Sequence, residues 1–148
     1  MRKIKNAIAR GAALSACLTL GACDDDSSSK GGAAGAPAVA PVSYAGEVQP
    51  LFELACNCHT GPNYMTLGAP FSLEASVAYG NIVSAPSQQV PTMQLVVPGS
   101  LNDSYLWLKV NGTQAEVSGG GQIMPPGVPL NEMERDLVGR WIVSGAQP

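Results

Sequence analysis

EVQPLFELACNCHTGP, residues 47–62, is the segment that decides the fold of this 148-residue chain. Its apolar residues are spaced i, i+3, i+4 and i+7, which predicts one buried face of a helix: Val48, Leu51, Phe52 and Ala55. Pro50 suits the first turn of that helix, where its missing N–H costs nothing. The helix leads into a Cys-x-Cys-His motif that contains the chain's only histidine, His59. The segment therefore predicts a short helix that ends in a concentration of reactive side chains.

A second apolar face is predicted near the C-terminus. Asn131 and Glu134 can form a capping box at its start, and Gly145 can end the helix. The residues of this face are Met133, Leu137, Val138, Trp141 and Ile142. The sequence therefore predicts a terminal helix that packs on the core through one side.

Two short helices are predicted between these, at 73–79 (Leu73 to Tyr79) and 104–110 (Ser104 to Val110). A Pro98-Gly99 turn precedes the second, with Asn102 or Asp103 as its cap. The ranges 84–91 and 112–129 are rich in Gly and Pro and are predicted as long loops. We therefore expect an all-α domain with a thin apolar core, a type of domain that usually needs a staple or a cofactor.

The first 22 residues have the pattern of a lipoprotein signal peptide. A basic start precedes a short apolar run, 11–22, which is far below the roughly 20 apolar residues that a membrane-spanning helix needs. Leu20-Gly21-Ala22-Cys23 resembles a lipobox, so Cys23 is expected to carry the lipid. A second match ends at Cys17 but is not followed by a hydrophilic segment. A buried helix with incidental cysteines is the alternative, which Asp24-Asp25-Asp26 disfavours.

Residues 23–42 are predicted to be the lipidated cysteine and a flexible linker. The linker is rich in Ser, Gly, Ala and Asp and cannot bury enough apolar surface to order itself. Eighteen residues of this type reach about 20–25 Å. The sequence therefore predicts an exported protein that is anchored by lipid to a bacterial cell-envelope membrane, the inner or the outer, and carries one domain at 43–148 on the periplasmic side.

The predicted domain is acidic. Residues 43–148 contain three basic and eight acidic side chains, a net charge of −5. This balance argues against nucleic acid and against electrostatic binding to anionic lipid. A basic or neutral protein partner fits the charge better.

The spacing of the thiols next to His59 points to covalent haem attachment, with one departure. Cys-x-x-Cys-His binds haem through two thioethers and the histidine, whereas Cys56-Asn57-Cys58-His59 is one residue short. On a continuous helix, Cys56 and Cys58 point about 200° apart and cannot both reach one haem edge. We therefore predict a single thioether through Cys58, with Cys56 free, strained into a second bond, or otherwise used.

The same motif leaves other chemistries open. It could form a disulfide or be an incidental pair of thiols. Thiolate, imidazole and thioether ligands together also suit Cu(I), and several methionines are available: Met65, Met93, Met124 and Met133. The motif alone does not decide between these sites.

Met124 lies in a string of Gly and Pro, residues 119–127, directly before the terminal helix. A residue that precedes proline is pushed to an extended backbone, so Met124 is predicted to lie on a loop. The glycines ahead of it allow close approach to a flat ligand. A loop methionine that only packs on the core is the alternative.

Taken together, these motifs resemble a class I cytochrome c domain, and more narrowly the cytochrome c-like domains of bacterial envelope lipoproteins. The resemblance runs through nearly the whole domain in the order of the family: residues 47–52, 58–61, 97–106, 124–126 and 141–146.

The resemblance implies a mono-haem protein. His59 would be the proximal iron ligand, Met124 the distal ligand and Cys58 a thioether donor, with the first helix packed on the last. Cys56 does not match the family's first cysteine. Aromatic residues that could form walls of a haem pocket are Tyr64, Tyr79, Tyr105 and Trp107.

The function expected from these residues is electron transfer to and from redox partner proteins. Two axial protein ligands leave iron no open position for a substrate, and the sequence shows no other catalytic pattern, so an enzyme is not expected. Two alternatives stay open: a periplasmic copper-binding lipoprotein, and a structural or interaction lipoprotein that has the same fold without haem.

Overall fold

The computed structural model describes residues 40–62, 64–65 and 70–148, which belong to one compact unit. The predicted signal peptide, Cys23 and nearly all of the predicted linker lie outside the described residues. Val42, the last residue of that predicted linker, is buried in the core of the unit. No helix within the described ranges is long and apolar enough to cross a membrane.

The described part of the chain contains four α-helices: α1 (Gln49–Ala55), α2 (Ala78–Ile82), α3 (Tyr105–Asn111) and α4 (Glu132–Val143). A π-helical turn, Tyr44–Val48, runs directly into α1. Two 3-10 turns follow α1 and α3, at Asn57–His59 and Gln114–Val117. Strand pairing in these residues is limited to isolated bridges, so the predicted all-α class is confirmed for the described part.

The core is centred on Trp141 of α4, which is fully buried. Its ring lies 5.1 Å from that of Tyr44, and the Tyr44 ring also contacts Phe52 and Tyr79 edge-on. The buried Trp141 indole N–H donates to the carbonyl oxygen of Gln147 at 2.8 Å, so its polar atom is satisfied. The first helical segment therefore packs against α4 mainly through its π-helical turn.

Most predictions for α4 are confirmed. Asn131 and Glu134 form the predicted capping box, with bonds of 3.0 and 2.8 Å, and Gly145 follows the helix at a φ of 101°. Met133 was predicted on the buried face, and this is wrong because 79% of its surface is exposed. Leu130, just before the helix, is buried instead.

Helix α3 is confirmed, but its predicted cap is wrong. Ser104 occupies the cap position, and its hydroxyl bonds to the backbone of Val97 and Ser100. The Asp103 carboxylate is used elsewhere, since it accepts a hydrogen bond from the Ser100 hydroxyl. The predicted Pro98-Gly99 turn is present, with Gly99 at a φ of 84° as the second central residue of a type II turn requires.

The helix predicted at 73–79 is displaced toward the C-terminus and becomes α2 (Ala78–Ile82). Leu73 instead lies outside any helix, and both of its backbone polar groups have partners elsewhere in the fold. Its N–H donates to the His59 carbonyl oxygen at 2.8 Å, and its own carbonyl accepts from the Gln49 side chain at 2.9 Å. Long-range hydrogen bonds therefore replace the local helix.

Candidate cofactor site

One mostly apolar cleft brings the predicted site residues together. It has a volume of about 200 Å³ and is open to solvent. A closed apolar cavity of roughly 150 Å³ already holds benzene, so this cleft can take a ring system that extends from its mouth. The predicted residues that line it are Cys56, Cys58, His59 and Met124. The 3-10 turn after α1 and the loop before α4, distant in sequence, therefore line the same cleft.

His59 is half-buried, with its ring oriented by Phe71. The Nδ1 atom of His59 lies 3.1 Å from the Phe71 carbonyl oxygen, and the two rings lie 4.8 Å apart. A carbonyl oxygen only accepts, so Nδ1 carries the proton and Nε2 keeps its lone pair in the neutral ring. Burial lowers the pKa of His59 and so favours this neutral form. The hydrogen bond to Phe71 acts in the opposite direction but is the smaller effect. Nε2 is therefore the ring nitrogen of His59 that is free to accept a bond.

The backbone around His59 is tied to a buried side chain of α1. Gln49 donates to the Leu73 carbonyl oxygen, and the Leu73 N–H in turn donates to His59. Tyr44 donates its hydroxyl proton to the Gln49 amide oxygen at 2.7 Å, which anchors Gln49 in the core. Farther along, the Gly61 N–H donates to the Glu74 carboxylate. A chain of hydrogen bonds therefore connects the Cys-x-Cys-His motif to the core of the domain.

The two thiols differ in environment. Helix α1 ends at Ala55, and Cys56 has a φ of −114° and a ψ of 33° between that helix and the 3-10 turn. The helix is interrupted there, and both Cys56 and Cys58 line the cleft. Cys56 is half-buried, and burial with the nearby Cys58 raises its pKa to about 11, whereas Cys58 is exposed. The thiols are free, with no disulfide between them.

Met124 lies on a loop, as predicted, and lines the cleft together with Pro125. Its N–H donates to the Lys109 carbonyl oxygen at 2.9 Å, so α3 fixes its backbone. Of the other predicted copper ligands, Met65 and Met133 are strongly exposed. Neither these two nor Met93 lines the cleft.

Some residues of the cleft were not predicted. Phe71 acts through its carbonyl, a group that every residue has, so the sequence held no signal for it. Lys109 is 8% exposed, and burial lowers its pKa. The burial of Lys109 could have been predicted from its position in the last turn of an apolar helix. Its hydrogen-bond partners could not have been predicted. Of the aromatic residues considered as pocket walls, Tyr105 lines the cleft, and Tyr64, Tyr79 and Trp107 do not.

The donor set can be compared with the needs of haem. A neutral imidazole with a free Nε2, a thioether and two thiols share an apolar cleft, and these are the groups that attach and ligate a c-type haem. The described His, Cys, Asp and Glu residues contain no group of three arranged to hold a metal ion. Comparisons with protein-family models, with curated proteins and with solved structures found no match.

Proposed function

We propose that this chain is a membrane-anchored electron-transfer protein with one covalently attached c-type haem. The observation that carries the proposal is the cleft shared by an oriented, neutral His59 and the loop residue Met124. A haem iron ligated in this way exchanges single electrons, and a methionine ligand raises its potential. The cytochrome c-like fold inferred from the sequence belongs to the same proposal.

Each residue has a distinct role in this proposal. A bound haem iron would be held by Nε2 of His59, while the Phe71 carbonyl keeps the proton on Nδ1, and by the thioether of Met124 from its loop. Cys58 forms the single thioether, because it is the exposed thiol and directly precedes the histidine. Cys56 is left unbound, since burial keeps its thiol protonated and protonated thiols are poor nucleophiles. The mostly apolar lining of the cleft would shield a bound haem on its buried side, while the mouth of the cleft stays open to solvent.

A haem held by both His59 and Met124 would supply single-electron transfer and leave the iron no position for a substrate, so the proposed role is that of a carrier rather than an enzyme. Lipid at Cys23 would anchor the chain to an envelope membrane and face the domain to the periplasm. Membrane-associated redox proteins are the proposed partners, because a tether raises the effective concentration between two molecules bound to one surface.

The first test is the absorption spectrum of the full chain, purified from a host that matures c-type cytochromes. A Soret band with a reducible α-band is expected, and the pyridine haemochrome should report one thioether. Stoichiometric copper without haem would support the copper-binding alternative, and absence of both would support the haem-less one; either result contradicts the proposal.

Matched variants test the assignments. Cys58→Ala should lose covalent haem and Cys56→Ala should keep it, as judged by mass spectrometry. Covalent haem in Cys58→Ala, or its loss in Cys56→Ala, contradicts the single thioether. Met124→Ala should lose the methionine–iron signature in the ferric spectrum, whereas Met133→Ala, which removes an exposed thioether, should not.

A further inference from the structure

Lys109 is a buried cation that bonds to backbone carbonyl groups. It lies on α3, is 8% exposed and lines the cleft. Its ammonium donates to the carbonyl oxygens of Gly120 at 3.0 Å and Gln122 at 2.6 Å. Within the described ranges the one ion pair is between Arg140 and Asp136, so Lys109 has no carboxylate partner there. This buried charge is therefore bonded to the two carbonyl groups.

Both carbonyl groups belong to residues 119–122, which we call the glycine segment. Further hydrogen bonds join this segment to Gln114. Gln114 donates through its side chain to Gly121 at 2.8 Å and accepts at its carbonyl oxygen from the Gly119 N–H at 2.8 Å. A Cβ at Gly119 would lie 2.4 Å from the Tyr105 hydroxyl oxygen, so the segment packs closely on α3.

Met124 follows this segment by two residues, and its N–H bonds to the Lys109 carbonyl oxygen. Lys109 thus holds the chain ahead of Met124 with its side chain and Met124 itself with its backbone. Charge-assisted hydrogen bonds of this kind are shorter and roughly twice as strong as neutral ones.

We propose that Lys109 is the positioning residue for Met124: its ammonium fixes the glycine segment and thereby sets how firmly the methionine is presented to the cleft. The part of this inference that concerns ligation rests on the proposed function. The part that concerns the glycine segment does not.

Hydrogen exchange of the full chain tests the second part. Lys109→Met keeps the length of the stem and removes the ammonium. It should speed exchange by about tenfold or more at the amides of Gly119 and Met124, whose N–H groups are hydrogen-bonded. Lys109→Arg, which retains donors, should restore most of the protection. Arg140→Met removes an exposed charge and should leave these residues unchanged. Unchanged exchange in Lys109→Met, or an equal rise throughout α4, would overturn the proposal.

The ligation part is read from the haem-loaded protein. At equal haem content, Lys109→Met should weaken the methionine–iron charge-transfer band and lower the midpoint potential, and Lys109→Arg should recover both. A general loss of stability would not produce this selective change with arginine recovery. A normal band and potential in Lys109→Met would overturn the role in ligation. If the wild-type chain carries no haem, the proposed function fails, while the exchange result still decides the role of Lys109 in the loop.

Discussion

The imidazole Nδ1 of His59 donates to the carbonyl oxygen of Phe71, 3.1 Å away, which assigns the free lone pair of the ring to Nε2. Orientation of a ligating histidine by a backbone carbonyl fixes both its tautomer and its plane. The same bond and the burial of the ring have consequences for stability that can be measured without a cofactor.

Stability of the cofactor-free chain should fall as the pH is lowered. Burial holds the pKa of His59 below its ordinary value, so the unfolded chain binds the proton first. The contribution is complete above about pH 6.5, the ordinary value, and is lost as the pH falls through the lower folded value. Urea midpoints at pH 8 and pH 5 measure it. His59→Gln should show a smaller difference between the two midpoints, and an equal difference would contradict the prediction.

The two thiols should react at different rates with iodoacetamide in the cofactor-free chain. Cys58 is exposed, whereas Cys56 is half-buried with a pKa of about 11. At pH 8 only about one Cys56 in a thousand is then a thiolate, the reactive form. Peptide mass spectrometry should find Cys58 modified at least about tenfold faster. In urea the rates should converge, and equal rates in the folded chain would refute the difference in environment.

Gln49 should contribute more to the free energy of unfolding than an exposed glutamine of the domain does. It is buried and bonds to the Leu73 carbonyl, the Glu53 carboxylate and the Tyr44 hydroxyl. Gln49→Leu leaves the Leu73 carbonyl and the Tyr44 hydroxyl unpaired and should cost about 1–3 kcal/mol in free energy of unfolding.

Gln94→Leu is the matched control for that change. The Gln94 side chain is exposed and makes no hydrogen bond to the described residues, so its replacement should change stability by less than about 0.5 kcal/mol. Urea denaturation of both variants makes the comparison. Similar losses in the two would show that the Gln49 path is not a structural support.

Two helical glycines should respond in opposite directions to alanine. A Cβ at Gly139 of α4 would lie 3.0 Å from Cη2 of Trp107, whereas a Cβ at Gly80 of α2 would meet nothing within 4 Å. Gly139→Ala should destabilise by about 1–3 kcal/mol because an indole ring cannot yield like a flexible chain end. Gly80→Ala should stabilise by up to about 1 kcal/mol through helix propensity. Thermal melts of both variants measure this, and a stabilised Gly139→Ala would show that α3 and α4 have room to separate.

Local signals in the sequence predicted some elements well. Asn131 and Glu134 specify the start of α4 through a motif of four residues, and Pro50 marks the first turn of α1, so both were predictable. The Pro98-Gly99 turn also indicated where α3 begins. That His59 and Met124 would lie at one site was predicted from the resemblance to a family and not from a local sequence pattern.

Other features depended on contacts between distant residues. The segment at Leu73 has helix-compatible residues, yet its backbone bonds to His59 and to the Gln49 side chain outweigh that local preference. The break at Cys56 likewise changes which directions the thiols take, and no helical-wheel argument could include it. The role of Lys109 required knowing where the glycine segment folds back. These are long-range choices that composition and periodicity do not encode.

The three basic side chains of the domain leave most of its negative surface charge without a counter-charge. Lys109 is buried, Arg135 donates to the Leu130 carbonyl, and Arg140 pairs with Asp136 at 2.8 Å. Exposed carboxylates therefore dominate the surface charge of the described domain: Glu47, Glu53, Glu74, Asp103, Glu116 and Glu132.

If the chain is anchored as proposed, neighbouring copies would repel each other over the Debye length, about 8 Å at physiological salt and about 30 Å at 0.01 M. Low salt would then keep the copies apart on the membrane, and high salt would let them come closer.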